Sequence, residues 1–335
     1  MTTTRVVDVS GSAGLQQGLR EAVRILREGG VVAFPTETVY GLGADARNPD
    51  AVREIFRIKG RPAVNPVIVH VPDAQLAREL VTAWPRQAEI LAERFWPGPL
   101  SMVLPKKNEV PDVVTAGGPT VALRVPAHPV ARALLCESRL ALAAPSANRS
   151  CHLSPTRAEH VLGDLRDRIP LILDGGQTSG GLESTVVDLS RDPPRLLRPG
   201  LISPGEIEQI IGPIQRGGSE DRPSVLASPG LLERHYAPRT LLEVAEPAEI
   251  HRRLAELDRQ GLRFAVVSHQ ALEGLPVGDR FILLGGDPVA YSRDFYATLH
   301  WLDHQGLDRI VVCQLPAGED WLALRDRLRR AAHPG

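Results

Sequence analysis

Apolar and polar positions recur with two different periods over the first 212 residues. Segments with apolar residues every three or four positions predict helices, and short β-branched runs predict strands. The predicted helices cover residues 15–28, 50–59, 74–95 with a break near Pro85, and 129–137. The predicted strands cover residues 31–34, 66–71, 100–104, 120–125, 140–144, 170–173 and 184–189. Because helices and strands do not alternate strictly, we predict a mixed α/β domain built on a twisted sheet.

The composition changes between residues 213 and 239. This stretch is rich in Gly, Pro and Ser and has little periodicity, which is typical of a linker. After it, predicted strands at 262–268, 281–284 and 309–315 alternate regularly with predicted helices at 288–304 and 321–332. That order predicts a small, Rossmann-like parallel sheet. We therefore predict a first domain at 1–212, a linker or flap at 213–239 and a second domain at 240–335.

Length, composition and charge are those of an ordinary globular protein. The chain has 335 residues, of which 43% are hydrophobic and 24% are charged, and this length fits two domains better than one. Its formal net charge is -1, whereas proteins that act mainly on nucleic acids usually carry a basic excess. We therefore expect any contact with RNA to be local and weak.

The cysteines and the N-terminal sequence indicate the compartment. Cys136, Cys151 and Cys313 form no CxxC pair, and their sparse, odd number argues against a disulfide framework or a cysteine-rich zinc site. A reducing cytoplasm fits this pattern. The first ten residues show no signal-peptide pattern, and no apolar run approaches the roughly 20 residues of a membrane helix. We predict a cytoplasmic protein without a membrane segment.

Several common catalytic motifs are missing from the chain. It contains no P-loop, no GxGxxG after a strand, no HExxH and no GxSxG. His300 and His304 are spaced to share a helix face, but no third ligand accompanies them, so we predict surface histidines. Cys151 has no evident partner that would activate a thiolate, so we predict no covalent nucleophile.

Polar clusters occur instead where predicted strands end. The first comprises Thr36, Glu37 and Thr38, in a glycine-rich turn that follows the strand at 31–34. Hydroxyls and free backbone N–H groups in such a turn can hold a small polar ligand. The alternative is a plain strand-to-loop turn without a ligand.

The second cluster is the KGRP sequence at residues 59–62, which is followed by Asn65 and His70. The helix dipole alone favours cations at a helix end, and this is the structural alternative. Pro62 ends the helix, however, so Arg61 can turn into a cleft. Lys59 offers a compact charge and Arg61 a two-pronged donor, which together with a polar Asn match the needs of phosphate oxygens.

Further polar clusters follow along the chain. Ser146 and Asn148 come after the strand at 140–144, with a spacing that lets both side chains face one side of an extended segment. Ser154 follows, and residues 180–187 and 197–200 form two more clusters. In the linker, residues 228–230 precede the aromatic pair His235 and Tyr236. This pair could belong to a flap over a site or could anchor a domain interface.

In this order, KGRP, NP with His70, PSAN, ESTVVD, LRPG and SPG…HYAP resemble the motifs of the YrdC-like threonylcarbamoyl-AMP synthases. The chain also resembles their long form, which adds a linker and a small C-terminal domain. The resemblance implies an open, twisted sheet with a concave cavity. It implies that L-threonine, bicarbonate and ATP, with Mg²⁺, give threonylcarbamoyl-AMP and pyrophosphate. The product would then pass to a downstream tRNA threonylcarbamoyl-transferase for modification of adenosine 37.

The resemblance also implies roles for individual residues. The residues expected near threonine are Thr38, His70, Arg124 and Ser184, with Arg124 pairing with the threonine carboxylate. The residues expected around ATP are Lys59, Arg61, Asn65, Ser146, Asn148, Ser154, Arg198 and Tyr236, the last closing over the nucleotide from the linker. Lys59 and Arg61 are expected to stabilise the charge that develops on the phosphoryl oxygens.

Two stretches depart from the family pattern. Cys151 and His152 stand where a glycine usually follows the SxN sequence, and Leu232 and Glu233 stand where the linker commonly carries Lys and Tyr. Two other functions stay open at this stage. An RNA-binding module is disfavoured by the near-neutral charge and the few aromatic residues. A carbamoyl-adenylate synthase for another acceptor is disfavoured by the predicted threonine pocket.

Overall fold

The structure, a computed structural model, describes residues 3–62, 64–216, 236–275 and 277–332. The strands are β1 Arg5–Asp8, β2 Val32–Phe34, β3 Gly41–Asp45, β4 Ile68–His70, β5 Leu100–Pro105, β6 Thr120–Arg124, β7 Leu142–Ala143, β8 Leu171–Asp174, β9 Thr185–Asp188, β10 Arg195–Arg198, β11 Gln215–Arg216, β12 Leu241–Ala245, β13 Phe264–Ser268, β14 Phe281–Leu283 and β15 Arg309–Cys313. The helices are α1 Ser12–Arg27, α2 Pro49–Lys59, α3 Ala74–Glu79, α4 Arg86–Phe95, α5 Asp112–Thr115, α6 Pro129–Ser138, α7 Ala158–Leu165, α8 Pro204–Ile211, α9 Ile250–Arg259, α10 Pro288–Asp303 and α11 Leu322–Ala331, with a 3-10 turn at Glu319–Trp321.

Within these described ranges the strands form two sheets. The larger sheet has 11 strands in the order β1-β8-β2-β3-β7-β4-β6-β5-β9-β10-β11 and mixes parallel with antiparallel neighbours. The smaller sheet has four strands in the order β12-β15-β13-β14, and all of its neighbours are parallel. The predicted mixed sheet and the predicted Rossmann-like second sheet are therefore confirmed.

Helices cover both faces of the larger sheet. Alternate residues of a strand point to opposite faces, and β2 shows the consequence: Ala33 joins a core cluster with α2, α4, α7 and α8, whereas Val32 and Phe34 join another with α1 and α6. Strands buried on both faces have continuous apolar sequences rather than alternating ones. The smaller sheet is covered in the same way, by α10 and α11 on one face and α9 on the other.

A shared apolar cluster joins the two sheets. Phe295 and Tyr296 of α10 pack with Val39, Leu153 and Leu182, which belong to the region of the chain that forms the larger sheet. These five side chains are all buried. The two sheets therefore share a core cluster in addition to having their own.

The glycine-rich turn that was predicted after the strand at 31–34 is wrong at Gly41 and Gly43, the two glycines that end it, because both lie in β3. Both residues belong to a strand that pairs antiparallel with β2, with Val32 opposite Gly43. A Cβ on Gly43 would lie 2.6 Å from the ring of Phe34. The glycine is therefore needed for close packing in the sheet rather than for a turn.

Other elements were not predicted: β1, β10, β11, β12, α5, α7, α8 and α9. The strands β1 and β10 are short and pair with partners that are distant or irregular in register, so their local sequence carries little periodicity. For α8, in contrast, the sequence does carry a helix-start pattern. Ser203 and Glu206 form a reciprocal capping box, and Pro204 stands at the first helical position.

Residues 217–235 lie outside the described residues, and with them lie most of the predicted linker, Leu232, Glu233 and the cluster at 228–230. β11 lies inside the segment that was predicted as linker and pairs with β10. The division of the chain at 212 and 239 stays a prediction. No helix in the described ranges combines the length and the apolar character needed to cross a membrane.

Gly200 allows a close backbone crossing that supports the first prediction. A Cβ on Gly200 would collide with the backbone N of Thr185 and the carbonyl carbon of Ser184. We expect Gly200→Ala to lower the free energy of unfolding by about 1–3 kcal/mol or more, because backbone has to move to accommodate the methyl group. Chemical denaturation measures this change.

Gly163→Ala is the matched control for that measurement. Gly163 lies in α7, and no atom lies within 4 Å of an added Cβ. Alanine at an unobstructed helical position is favourable by up to about 1 kcal/mol. If Gly200→Ala were as stable as the wild type, the argument from close packing would be wrong.

Candidate active site

A cavity of about 50 Å³ lies beyond the carboxyl ends of β2, β4 and β6. β4 and β6 are parallel, and His70 is paired in register with Arg124 at their ends. Carboxyl ends of parallel strands are a common place for ligand sites. Eight predicted site residues line the cavity: Thr38, Arg61, His70, Arg124, Ser146, Ser184, Arg198 and Tyr236.

Arg124 organises the side of the cavity that was predicted to hold threonine. Its guanidinium donates to Thr38 Oγ1 at 2.9 Å, to Glu37 Oε1 at 2.6 Å and to the carbonyl oxygen of Gly98 at 3.1 Å. The second carboxylate oxygen of Glu37 accepts from the Ala127 backbone N–H. Burial alone would raise the pKa of the Glu37 carboxyl, but the charge and hydrogen bond of Arg124 outweigh it and lower that pKa. Glu37 is therefore an ionised partner that the sequence analysis had not assigned.

His70 is a buried, neutral imidazole at the same end. Burial, together with the positive charge of Arg124, lowers the pKa of His70 to about 3. Its Nδ1 atom is buried and has no hydrogen-bond partner among the described residues. Buried polar atoms are normally paired, so this nitrogen is suited to a ligand's donor.

Two cations of the KGRP sequence are buried beside the cavity, but they face different ways. Lys59 donates from Nζ to the carbonyl oxygens of Ser146 and Asn148 at 2.6 and 2.5 Å. Arg61 lines the cavity and donates to the carbonyl oxygens of Asn65 and Pro66 at 3.1 and 2.7 Å. Neither contact involves a carboxylate, so neither charge is neutralised by these bonds.

Burial has a clear effect on both of these cations. It lowers the pKa of Lys59 well below its usual value, with a further contribution from the charge of Arg61. It also lowers the pKa of Arg61 to about 10. Both shifts mean that the charged forms are held at an energetic cost, which a nearby anion would offset.

Ser184, Arg198 and Tyr236 form the opposite wall. Arg198 donates to the Ser184 carbonyl oxygen at 3.2 and 3.0 Å and to Ser184 Oγ at 3.1 Å. Ser184 Oγ also lies 2.8 Å from Ser101 Oγ. The phenol of Tyr236 hydrogen-bonds to Arg198 and is buried. With Tyr236 in this position, the cavity is far smaller than the roughly 300 Å³ or more that enclose a nucleotide-sized ligand.

Four predicted site residues do not line the cavity: Lys59, Asn65, Asn148 and Ser154. Asn148 accepts from Lys59 and from Ser146 Oγ, and its amide nitrogen donates to the carbonyl oxygens of His152 and Leu153. The amide oxygen and nitrogen of Asn65 are buried and unpaired among the described residues. Asn148 thus supports the loop, whereas Asn65 retains two polar atoms without a partner.

Glu183 is the second acid that the sequence analysis left without a role. It lines the cavity next to Ser184, and Ser154 Oγ donates to its carboxylate at 2.5 Å. Ser154, predicted near the nucleotide, therefore directs its hydroxyl to an acid of the cavity wall rather than into the cavity. The signal available in the sequence was position alone, since Glu37 and Glu183 each directly precede a predicted threonine-binding residue.

The prediction that His300 is a surface histidine is wrong. Its ring stacks on His160 with centroids 3.8 Å apart, and its Nε2 lies 3.1 Å from the carbonyl oxygen of Ser154. The regions that carry the two sheets pack against each other here, and helix periodicity alone does not reveal such a contact. His304 is exposed, as predicted.

The departure at Cys151 and His152 also has a structural place. The Cys151 carbonyl oxygen accepts from the Ala237 backbone N–H at 3.0 Å, and His152 forms a parallel bridge with Ala237. The chain that follows Tyr236 is therefore tied to this stretch. His152 Nδ1 lies 3.1 Å from Asp164 Oδ1, which helps to fix the loop.

Comparison with known proteins identifies the family. Residues 24–200 match the family model of the Sua5, YciO and YrdC proteins, described as "Telomere recombination", and residues 202–333 match one described as the C-terminal domain of threonylcarbamoyl-AMP synthase. The threonylcarbamoyl-AMP synthase of Bacillus subtilis (strain 168) is 43% identical over 320 residues, which cover 94% of this chain and 92% of that protein. The chain belongs to the threonylcarbamoyl-AMP synthase family.

Other members of the threonylcarbamoyl-AMP synthase family match over nearly the whole chain. The Pyrococcus abyssi enzyme of that name is 42% identical over 322 residues, covering 94% of each protein. The crystal structure of P. abyssi Sua5 complexed with L-threonine is 40% identical, has a TM-score of 0.91 and covers 98% of this chain and 97% of that one. The predicted family and fold class are confirmed, while the roles of single residues stay predictions.

Acid should destabilise this threonylcarbamoyl-AMP synthase family member partly through His70. The folded pKa of His70 is about 3, and an unfolded histidine titrates near 6.5. Between these values the unfolded chain binds more protons than the folded chain. The free energy of unfolding should therefore fall as pH decreases through this window, by up to about 1.4 kcal/mol per pH unit from this residue.

Denaturation of wild type and His70→Gln at about pH 7 and about pH 5 checks this expectation. His160 and His300, whose pKa values burial lowers to about 2 and about 4, add the same kind of acid sensitivity to both proteins. The difference between the two proteins therefore isolates His70. We expect a smaller loss of stability in the variant, and an equal loss would contradict the assignment.

Proposed function

We propose that this protein is an L-threonylcarbamoyladenylate synthase, which converts L-threonine, bicarbonate and ATP to threonylcarbamoyl-AMP and pyrophosphate. The reaction is the first step of N6-threonylcarbamoyladenosine formation at position 37 of tRNA. One observation carries the proposal. A single cavity is lined both by the predicted threonine residues Thr38, His70, Arg124 and Ser184 and by the buried cations Arg61 and Arg198.

The threonine end of the cavity supplies a cation and a neutral acceptor. Arg124 is the partner for the threonine carboxylate. The carboxylate would bind beside the hydrogen bonds that Arg124 makes to Glu37 and Thr38, or would replace some of them. His70 offers Nδ1 as a hydrogen-bond acceptor to the threonine hydroxyl or amine. Because its pKa is about 3, His70 orients this group and is a poor base for it.

The chemistry needs positioned charge rather than a nucleophilic side chain. The threonine amine adds to the carbon of bicarbonate or CO2, giving a carbamate. Water is released when bicarbonate is the donor, and a proton when CO2 is the donor. A carbamate oxygen then attacks the α-phosphorus of ATP, and the bond to the β-phosphate oxygen breaks as pyrophosphate leaves. Negative charge builds on the phosphoryl oxygens, so proximity and preorganised donors should supply most of the rate enhancement.

Arg61 is the cation best placed to meet that charge, since it faces the cavity. Lys59 adds positive charge from behind the wall, and its bonds to Ser146 and Asn148 fix the loop that carries Ser146. Asn65 contributes an amide whose two polar atoms have no partner in the described residues. Arg198 completes the ATP side next to Ser184.

Mg²⁺ would accompany ATP in this function. Within the described residues, no group of three or more His, Cys, Asp or Glu side chains could hold a metal ion. Mg²⁺ commonly keeps several waters and binds substrate phosphates with few protein ligands. The described part of the chain forms no metal cage of its own, and none of the steps above depends on one.

Tyr236 covers the cavity and would move to admit the nucleotide, then close over it. Its position at the end of the predicted linker, and the attachment of Ala237 to Cys151, support a flap that is fixed on one side. The product would be passed in the cytoplasm to a tRNA threonylcarbamoyl-transferase. Contact with RNA in this step would be local, because the net charge of the chain is -1.

Pyrophosphate release tests the proposal directly. Purified protein is incubated with ATP, Mg²⁺ and bicarbonate, and each amino acid is supplied in turn. We expect release only with threonine and bicarbonate together. Release with a different amino acid would keep the reaction type and replace the acceptor, and folded protein that releases none would contradict the proposed activity.

A variant of Arg61 tests the ATP side of the cavity. Arg61→Ala should lower kcat/KM for ATP by about 10²-fold or more, since it removes a cation from the site of developing charge. It should also lower the free energy of unfolding by about 1–3 kcal/mol, because the carbonyl oxygens of Asn65 and Pro66 lose their donor. Assays are therefore run well below the unfolding temperature of the variant.

Two further variants separate charge from fold in this experiment. Arg61→Lys keeps the charge and should retain more activity than Arg61→Ala. Arg57→Ala removes an exposed arginine of α2, the helix that ends two residues before Arg61. Arg57 pairs with Glu54 one turn away, and its loss should leave kcat/KM unchanged. Near-normal turnover of Arg61→Ala would overturn the assignment of Arg61 to the phosphates.

A further inference from the structure

Arg327 of α11 reaches from the C-terminal region, which carries the smaller sheet, to the wall of the cavity. Its side chain is completely buried. Its Nε donates to Glu183 Oε2 at 2.7 Å, and its Nη2 donates to the Pro199 carbonyl oxygen at 2.9 Å. Its Nη1 donates to Asp326 Oδ2 at 2.8 Å. One guanidinium therefore bonds to its own helix and to two separate segments of the region that carries the larger sheet.

Glu183, the main partner of Arg327, is ionised although it is buried. Burial raises the pKa of this carboxyl, but the positive charges of Arg327 and Arg198 and the hydrogen bond from Ser154 outweigh it and lower that pKa. The Tyr296 hydroxyl of α10 lies 3.4 Å from the same carboxylate. Two helices of the region that carries the smaller sheet, α10 and α11, thus contact one acid of the cavity wall.

The two segments that Arg327 joins carry site residues at the adjacent positions. Glu183 precedes Ser184, and Pro199 follows Arg198. Arg198 in turn bonds to both the carbonyl oxygen and the hydroxyl of Ser184. Arg327 closes this arrangement from behind, so its removal would free both segments at the same time.

Arg327 also contacts the residue that covers the cavity. Its guanidinium carbon lies 5.1 Å from the centre of the Tyr236 ring, within the range of a cation–π interaction. A guanidinium can use its fork for Glu183 and Pro199 while its face meets an aromatic ring. A lysine ammonium cannot make all three contacts.

Stability alone is a weak explanation for this arrangement. Replacing a buried ion pair by apolar residues is often neutral or stabilising, because desolvation offsets much of the attraction. The surrounding interface is already apolar, with Phe295 and Tyr296 packed on Leu182 and Leu153. The contacts of Arg327 instead coincide with the segments that carry Ser184 and Arg198, and this points to the geometry of the site.

We propose that Arg327 is a positioning residue of the active site, through which the C-terminal region that carries the smaller sheet holds Ser184, Arg198 and Tyr236 in place for the reaction. The inference rests on the proposed function for its activity readout. Arg327 acts through Glu183 and Pro199 and does not touch the reacting atoms.

Four variants test the proposal. Arg327→Met removes the fork and the charge, and Arg327→Lys keeps the charge alone. Leu324→Ala, a buried apolar residue of the same helix, controls for loss of stability. Arg329→Met, an exposed residue of the same helix that pairs with Asp326, controls for loss of charge. Thermal unfolding is recorded for each, and kinetics are measured where each variant is fully folded.

We expect Arg327→Met to lower kcat/KM for ATP by about 10²-fold, as small misplacements of reacting groups can do. kcat itself should fall as well as affinity, because the groups around the transition state are displaced. Arg327→Lys should be intermediate. Leu324→Ala and Arg329→Met should keep both kcat and KM close to the wild type.

Other outcomes overturn the inference. If Arg327→Met in its folded range had the kinetics of Leu324→Ala, or if Arg327→Lys restored both kcat and KM fully, the role of Arg327 would be structural. Wild type that released no pyrophosphate with any amino acid would instead contradict the proposed function. Positioning would then be judged by ATP affinity in calorimetry, which Arg327→Met should lower at least about tenfold relative to Arg329→Met, and equal affinities would overturn it.

Discussion

Desolvation of positive charge is the constraint on which the rest of the site depends. Lys59, Arg61, Arg124 and Arg198 are all buried around one small cavity. Burying a cation is costly unless hydrogen bonds and opposite charge compensate for the lost water. Lys59 and Arg61 bond to backbone carbonyl oxygens, whose partial charges satisfy the donors without neutralising them. The site thus keeps excess positive charge in a region of low dielectric, where a polyanionic substrate gains most.

The fold supplies the carbonyl oxygens that such a site needs. Strands of the larger sheet end around the cavity, and the chain beyond each end leaves backbone groups unpaired by the sheet. Ser146 and Asn148 follow β7, and Asn65 and Pro66 precede β4, so their carbonyl oxygens are free to accept from Lys59 and Arg61. Carboxylates pair with arginines at two places in the site, where Glu37 meets Arg124 and Glu183 meets Arg327.

Local sequence was sufficient to predict much of the larger sheet and the polar residues at the ends of its strands. The β-branched run before His70 and the apolar run before Ser146 were enough to predict strands, and polar residues directly after strands were enough to predict a site. The family resemblance, rather than periodicity, assigned Arg124 to it. β3 was missed because Gly41 and Gly43 resemble a turn until the ring of Phe34 is seen to fill the space beside Gly43. Local sequence has no means of showing such a contact.

The direction of a side chain was harder to predict than its neighbourhood. Lys59 and Arg61 are two residues apart, yet one turns to the loop behind the cavity and the other lines it. Arg327 was beyond prediction, because it is 144 residues from Glu183 and lies in a helix with no polar motif.

The Glu183–Arg327 pair also bears on whether the region that carries the cavity can be complete by itself. A chain cut after the larger sheet would keep Glu183 but lose the cation that bonds to it and to Pro199. The region that carries the cavity is therefore completed by the region that carries the smaller sheet.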